Sequence, residues 1–325
     1  MKQILILMAL GAPVFVVASR PMVHAQNSGS AQHREIAVTF DDLPLNGRDV
    51  GLVSLQQMTD KLTASIQSHQ IPAVAFVNEE KVFKPGEIDA RTALLAEWLE
   101  RGIELGNHTF SHPSFQTTPL DQFEDDVIRG ENVTRMLLTQ RGMKLRYFGF
   151  PFLQTGPSLE IKKTFEEFLA RHHYTNAPVT IENSDWMFSA LYTKSKLGGD
   201  QEAAERIAST YLVYTEKQFD FFEKFSVEVL GSEPPQVMLL HANWLNADHF
   251  DEVAVLMSKR GYRFITLDKA LADKAYSLPD NYAGPMGVSW IERWAFSKGM
   301  GMRVKDEPDP PESILKAYKA QTQSR

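Results

Sequence analysis

Short apolar runs alternate with longer amphipathic stretches from residue 36 onward. Runs rich in β-branched and aromatic residues occur at 36–40 (IAVTF), 73–77 (AVAFV), 103–107 (IELGN), 145–150 (LRYFGF), 177–181 (APVTI), 236–240 (QVMLL) and 263–266 (RFIT). Each has the length and composition of a strand. Helical periodicity covers 53–69, 88–101, 119–140, 158–171, 200–229 and 247–260. In the second of these, Leu94, Leu95, Trp98 and Leu99 form one apolar stripe. Seven strands alternating with helices predict an α/β domain, a parallel sheet with helices outside. A closed or nearly closed barrel fits the length as well as an open sheet does. In a barrel, chemistry collects at the C-terminal ends of the strands.

The chemically capable residues fall at those ends. Asp41 and Asp42 follow the first run, and His108 and His112 follow the third in GNHTFSH. Pro151 and Phe152 follow the fourth, Asp185 and Trp186 come shortly after the fifth, and His241 follows the sixth in LLHAN. The connection at 187–235 is longer than the others and carries the helical, aromatic and acidic EKQFDFFEKFSVEVL. Beyond residue 272 the texture changes again. WIERWAF sets Trp290 and Trp294 one helical turn apart, which predicts a short docked helix. The Pro-rich, charged KDEPDPPES after it predicts a frayed end.

The N-terminus breaks this rhythm. Lys2 precedes a nearly continuous apolar stretch from Ile4 to Ala18, which closes on Val23-His24-Ala25. This is the pattern of a secretory signal peptide cut after Ala25. Its apolar core is short for a membrane span, and an uncleaved anchor is the alternative. A polar leader, residues 26–34, follows. The expectation is an exported chain, periplasmic or extracellular, with no membrane-spanning segment once the peptide is removed. The absence of cysteine means that any metal must be held by nitrogen and oxygen ligands. The 325 residues, 43% apolar and 23% charged, have globular proportions. A net charge of -7 without a basic patch argues against nucleic acid as a partner. No motif sets an oligomeric state.

Two imidazoles four residues apart, His108 and His112, can reach one ion from a helical turn or from a loop. Alone, that spacing equally describes a surface pair. Two neighbouring carboxylates, Asp41 and Asp42, can diverge around one small volume where a strand becomes a loop. One of them could bind a metal and the other hold a water; alone, the pair equally signals a turn. Taken together, TFDD after the first strand and HTFSH after the third supply an Asp and two His around an ion, with one Asp free to act as base.

In that order and spacing the chain resembles the polysaccharide deacetylase family, the NodB-homology carbohydrate esterases of family 4. The resemblance runs over roughly 34–272, with FPF at 150–152, DW at 185–186 and LLH at 239–241 where later motifs belong. It implies an irregular (β/α)7 barrel over 35–272, a helical insert at 187–235 before the sixth strand, and a C-terminal extension at 273–325. It implies a divalent metal on Asp42, His108 and His112, zinc ahead of cobalt or nickel. It makes Asp41 the general base and His241 the general acid, charged by Asp185. The Phe152 amide, set by Pro151, would face the oxyanion, and Trp186 would wall the site. The partner implied is an acetylated glycan, deacetylated at nitrogen. An O-acetyl esterase of the xylan type and a glycan-binding homologue with weak or lost activity are the rivals.

One position departs from the family. Gly149 stands where an Arg that pairs with the base is usual. Arg146 lies three positions earlier, on the opposite face of a regular strand. Two outcomes are open: a cation from elsewhere, such as the long insert, reaches Asp41, or Asp41 keeps a pKa less depressed by a positive neighbour and turnover shifts in rate or pH optimum.

Overall fold

A computed structural model of the chain describes residues 34–323. The predicted signal peptide and the polar leader up to residue 33 lie outside the described residues. In chain order the elements are β1 (Arg34–Leu43), α1 (Leu52–Ser68), β2 (Val74–Val77), α2 (Ile88–Glu100), β3 (Glu104–Asn107), α3 (Leu120–Arg129), α4 (Asn132–Thr139), β4 (Tyr147–Phe148) and α5 (Leu159–Arg171). They continue with β5 (Thr175–Asn176), α6 (Asp185–Leu197), α7 (Gln201–Leu230), β6 (Gln236–His241), α8 (Trp244–Lys259), β7 (Tyr262–Phe264), α9 (Leu267–Leu271), α10 (Trp290–Ser297) and α11 (Glu312–Gln323).

The strands form one parallel sheet in the order β5-β4-β3-β2-β1-β6, with β7 paired to the start of β1. The sheet curls toward closure. A single parallel bridge, Ile181 to Met238, joins the chain after β5 to β6. This curled, half-closed sheet is consistent with the irregular barrel that the family resemblance implies, and it decides against the open sheet that the strand count leaves possible.

The core divides by strand parity. Ile36, Val38, Phe40, Ala75, Val77, Met238 and Leu240 face outward into the main core under the helices. There Phe40 meets Phe250 edge-on at 5.3 Å and Trp98 at 5.9 Å. The alternate residues Ala37, Val74, Phe76, Tyr147 and Val237 make a second, smaller cluster inside the barrel. Continuing that inner parity along each strand leads to Asp41, His108, Gly149 and His241. The packing that fills the barrel therefore aims these positions at one rim.

Three details differ from the sequence expectation. The fifth strand pairs at Thr175–Asn176 rather than over 177–181, because Pro178 has no N–H for the ladder, and only Ile181 bridges beyond it. The stretch 119–140 is two helices, broken at Gly130. A Cβ there would lie 2.4 Å from the Thr109 backbone, so glycine is what lets the 108–112 loop pass. The C-terminal end is not frayed within the described residues. α11 continues to Gln323, buries Ile314 and sets Tyr318 edge-on to Trp186 at 5.4 Å. Trp290 and Trp294 are buried, as the docked-helix expectation required.

Candidate active site

Two adjacent carboxylates on a regular strand would face opposite ways. β1 avoids this by a register shift between Phe40 and Leu43, with Asp42 in the left-handed region at φ 71°. Asp is among the few residue types that visit this region. The turn rotates Asp42 back toward the face that Asp41 already occupies, and both are buried, at 5% and 6% exposure. Asp41 stands opposite His241 in the β1–β6 register.

GNHTFSH resolves into a loop, not a helical turn. Thr109 and His112 both have positive φ, at 67° and 57°. The loop is pinned by Asn107 Oδ1, which accepts from Thr109 N at 2.7 Å, and by Thr109 Oγ1, which accepts from His112 N at 3.0 Å. Asp126 of α3 accepts from both the backbone and the hydroxyl of Ser111 at 2.9 Å. The outcome is two imidazoles with centroids 4.9 Å apart.

The donor set fits a metal. One ligand atom each from Asp42, His108 and His112 lies within 4.8 Å of the others, the one such group among the described residues. His108 Nδ1 is 2.8 Å from the Gly149 carbonyl, which can only accept, so Nδ1 carries the proton. Its Nε2 lone pair then faces the carboxylates, 3.5 Å from Asp41 Oδ2. This is how a carbonyl fixes the tautomer of a metal-binding histidine. Burial pushes His108 down to about 3, which keeps the ring neutral. His112 Nε2 is 3.6 Å from Asp42 Oδ1. Burial opposes ionisation of Asp42, but Lys81 and then the two histidines hold its carboxyl well below the usual range.

Asp41 differs from its neighbour. Burial pushes it up to about 8; His241 pulls the other way, and Asp42 and Asp185 add to the rise. Two carboxylates at one rim thus have separated proton affinities, the pattern that marks different chemical roles.

Across the rim, His241 Nδ1 and Asp185 Oδ1 are 2.6 Å apart. Asp185 Oδ2 accepts from His241 N at 2.8 Å, Asn243 Nδ2 at 3.0 Å and Asn246 Nδ2 at 2.5 Å. Burial alone would lower the pKa of His241. The Asp185 carboxylate, helped by Asp42 and Asp41, outweighs it and His241 is raised to about 9. Phe152 has φ 56° in a short turn behind Pro151, and its ring meets His112 edge-on at 4.3 Å. Trp186, 37% exposed, opens α6 beside Asp185.

The absent Arg has a steric counterpart. A Cβ at Gly149 would meet the Phe76 ring at 3.1 Å and His108 Nδ1 at 3.2 Å, a tight fit in which the ring and the imidazole would have to give by a few tenths of an ångström. Arg146 is held elsewhere, by Glu104 at 2.7 Å and Asp268 at 2.5 Å. The cation at the rim comes from the turn after β2, not from the insert. Lys81 Nζ lies 3.1 Å from Asp42 Oδ1 and 3.0 Å from Asn78 Oδ1. It contacts Asp42 rather than Asp41. Lys81 was not foreseen, and neither were three amide side chains: Asn46, which donates to Asp42 Oδ2 at 2.6 Å, Asn243 and Asn246. HANWLN, with its Asn cap pattern after a strand, was the available signal for the last two.

Residues 28–175 match the family model described as polysaccharide deacetylase. The match contains Asp41, Asp42, His108, His112, Pro151 and Phe152. It ends before Asp185 and His241, whose place at the rim rests on geometry. The peptidoglycan-N-acetylglucosamine deacetylase of Bacillus cereus is 29% identical over 110 residues. That alignment covers 34% of this chain and 34% of that protein, so the chain spans about a third of the length of the curated relative it matches. Among solved structures, a peptidoglycan deacetylase from Bacillus subtilis aligns with 18% identity and a TM-score of 0.47 over 74% of this chain and 90% of that one. A CE4 family pseudoenzyme from Bacillus anthracis aligns with 15% identity and a TM-score of 0.49 over 74% and 66%.

Proposed function

We propose that this chain, which matches the polysaccharide deacetylase family model over residues 28–175, is a member of that family of carbohydrate esterases and is an exported, metal-dependent enzyme that hydrolyses N-acetyl groups of a glycan containing N-acetylglucosamine. Chitin-like chains, peptidoglycan and poly-N-acetylglucosamine are the candidate polymers. The observation that carries the proposal is convergence. Side chains from the ends of β1, β3 and β6 and from the start of α6 meet at one rim, and their protonation preferences are complementary.

Asp42, His108 and His112 are the residues that would hold the ion, with zinc suited to this set and cobalt or nickel as substitutes. A divalent ion there supplies Lewis acidity and lowers the pKa of water from 15.7 toward about 7. The chain's own groups do the rest. Asp41, buried and with no side-chain hydrogen bond among the described residues, takes the proton of the attacking water. The Phe152 N–H donates to the oxygen that becomes negative as the acetyl carbon turns tetrahedral. His241 gives its proton to the departing amine, and Asp185 keeps the imidazole charged and oriented. Trp186 shields one side of the rim from water. Acetate and a free amine remain. Export is supported by the N-terminal pattern of Lys2, the apolar run and the Ala25 cleavage position.

Acetate release from N-acetylglucosamine oligomers and from acetylated xylan, before and after chelation and metal add-back, tests the proposal. Metal-dependent release from the amide substrate supports it. Release from xylan alone would make the protein an O-acetyl esterase, and glycan binding without release from either would make it a binding protein.

A further inference from the structure

Trp186, next in sequence to Asp185 at the start of α6, lines a cleft of about 850 Å³. The cleft runs between the loop 45–50, α6 and α11, so the C-terminal extension builds one wall of it. Its volume lies within the range of ligand pockets. It is one residue layer from the chemistry. Asn46 lines it and donates to Asp42 at 2.6 Å.

The lining has an unusual charge. The chain carries 41 acidic residues against 34 basic ones, yet no Asp or Glu lines this cleft. Arg48 and Lys194 do, both are exposed, and neither makes an ion pair or side-chain hydrogen bond among the described residues. Most other cations near acids on this protein are paired, as Lys84 is with Asp49 and Arg91 with Glu87. Three aromatic rings, Trp186, Trp244 and Tyr318, complete the walls. Two lining residues also carry a buried polar atom with no hydrogen-bond partner, Trp244 Nε1 and Gln321 Oε1. Trp244 as a whole is 5% exposed. Such atoms cost stability unless something answers them.

We propose that this cleft is an accessory subsite that binds an anionic saccharide unit, bearing a carboxylate or a phosphate, on the same polymer whose acetyl group is cleaved at the rim. The proposal rests on the deacetylase reading. The aromatic faces stack on the apolar faces of sugar rings, and the two free cations meet the acidic substituent by charge-assisted hydrogen bonds. α11 is then part of the substrate groove.

The test is calorimetric binding at low salt by the full chain, without metal, of three oligomers: neutral N-acetylglucosamine, an alternating oligomer with carboxylate-bearing muramic acid, and a phosphate-substituted N-acetylglucosamine oligomer. Preference for an acidic oligomer of about tenfold over the neutral one is expected, and which acidic oligomer wins identifies the substituent. The R48Q/K194Q double variant should lose that preference and keep its affinity for the neutral oligomer. Tyr318→Leu should weaken all three. Equal affinity of the wild-type chain for acidic and neutral oligomers overturns the proposal, and so does an acidic preference that survives R48Q/K194Q. Failure to release acetate from any oligomer would overturn the deacetylase reading and leave these binding results interpretable.

Discussion

Asp185→Asn isolates the contribution of one carboxylate to proton delivery. In the wild-type protein His241 is raised to about 9 against the opposing effect of burial, with Asp185 the strongest raising influence. The remaining help comes from Asp42 and Asp41, whose charge an ion at the rim offsets. Without the Asp185 charge, burial leaves His241 at or below its ordinary value of 6.5. At pH 8 a group with a pKa near 9 is about 0.9 protonated, and one at 6.5 is about 0.03 protonated. Acid-dependent turnover at pH 8 should therefore fall by about thirtyfold or more relative to the wild type at the same pH, and that deficit should shrink as the pH approaches 6. The hydrogen bonds add to this. The three donors on Oδ2 force the Asn carbonyl to that side, so its NH2 faces His241 Nδ1 and makes that nitrogen an acceptor. A neutral ring with its proton on Nε2 is a much weaker acid. The assay is a kcat pH profile for acetate release, with the melting temperature measured alongside. A basic limb that stays near 9 in D185N, with activity at pH 8 intact, refutes the assignment of Asp185 as the group that charges His241.

Three further outcomes follow from the geometry. His108→Ala or His112→Ala should abolish stoichiometric zinc retention and acetate release together, as measured by elemental analysis after gel filtration; retained metal in both variants would move the ligand set elsewhere. Glu307 is pushed up to about 9 by burial and by Glu292 and Glu182, above its ordinary 4.5. The folded state therefore holds this proton more tightly than the unfolded chain, and its stabilising contribution is full below about 4.5 and is lost as pH rises to about 9. Glu307→Gln should flatten the decline of melting temperature between pH 5 and 9, and a parallel decline in both proteins would count against it. Arg293, 1% exposed, donates to Leu153 O, to Val288 O at 3.1 Å and to Thr155 Oγ1 at 2.9 Å, and lies 3.4 Å from Asp280. Arg293→Met removes the brace behind the Phe152 turn, so denaturant titration should show a loss of about 3–5 kcal/mol, and a change within about 0.5 kcal/mol would contradict the bracing role.

The strands and most helices were legible because burial imposes period and composition. Ile36, Val38 and Phe40 have no alternative to an apolar environment, and the stripe through Leu94, Leu95, Trp98 and Leu99 has only one face to bury. What periodicity does not carry is close approach between distant segments. The break at Gly130 exists because the Thr109 backbone lies against it, a contact between residues that share no local pattern. α6 escaped for a related reason. Its start is set by Ser184, in the left-handed region at φ 51°, and by the buried Asp185, not by an amphipathic stripe. α11 escaped because its support is tertiary: Ile314 and Tyr318 have partners only once α6 is in place.

The rim shows the same division. Its principal groups were visible because metal and proton chemistry restrict residue types, and Asp, His and strand ends are all readable. Gly149 is where that logic stops short. Reading the position as a lost Arg leaves two outcomes, a replacement cation for Asp41 or a less depressed base, and the geometry agrees with the second. The Gly149 carbonyl sets the His108 tautomer, and the approach that makes this possible leaves only a tight space for Cβ beside Phe76. A side chain at 149 would require the Phe76 ring and the His108 imidazole to give by a few tenths of an ångström. The positive charge has instead moved to Lys81, which steadies Asp42, while Asp41 is left to burial and to His241. A base raised in this way is a stronger proton acceptor than one held down by an adjacent guanidinium. The departure from the family pattern is thus compatible with catalysis at a higher pH, because it changes the basicity of Asp41 and leaves in place the three side chains that could hold an ion.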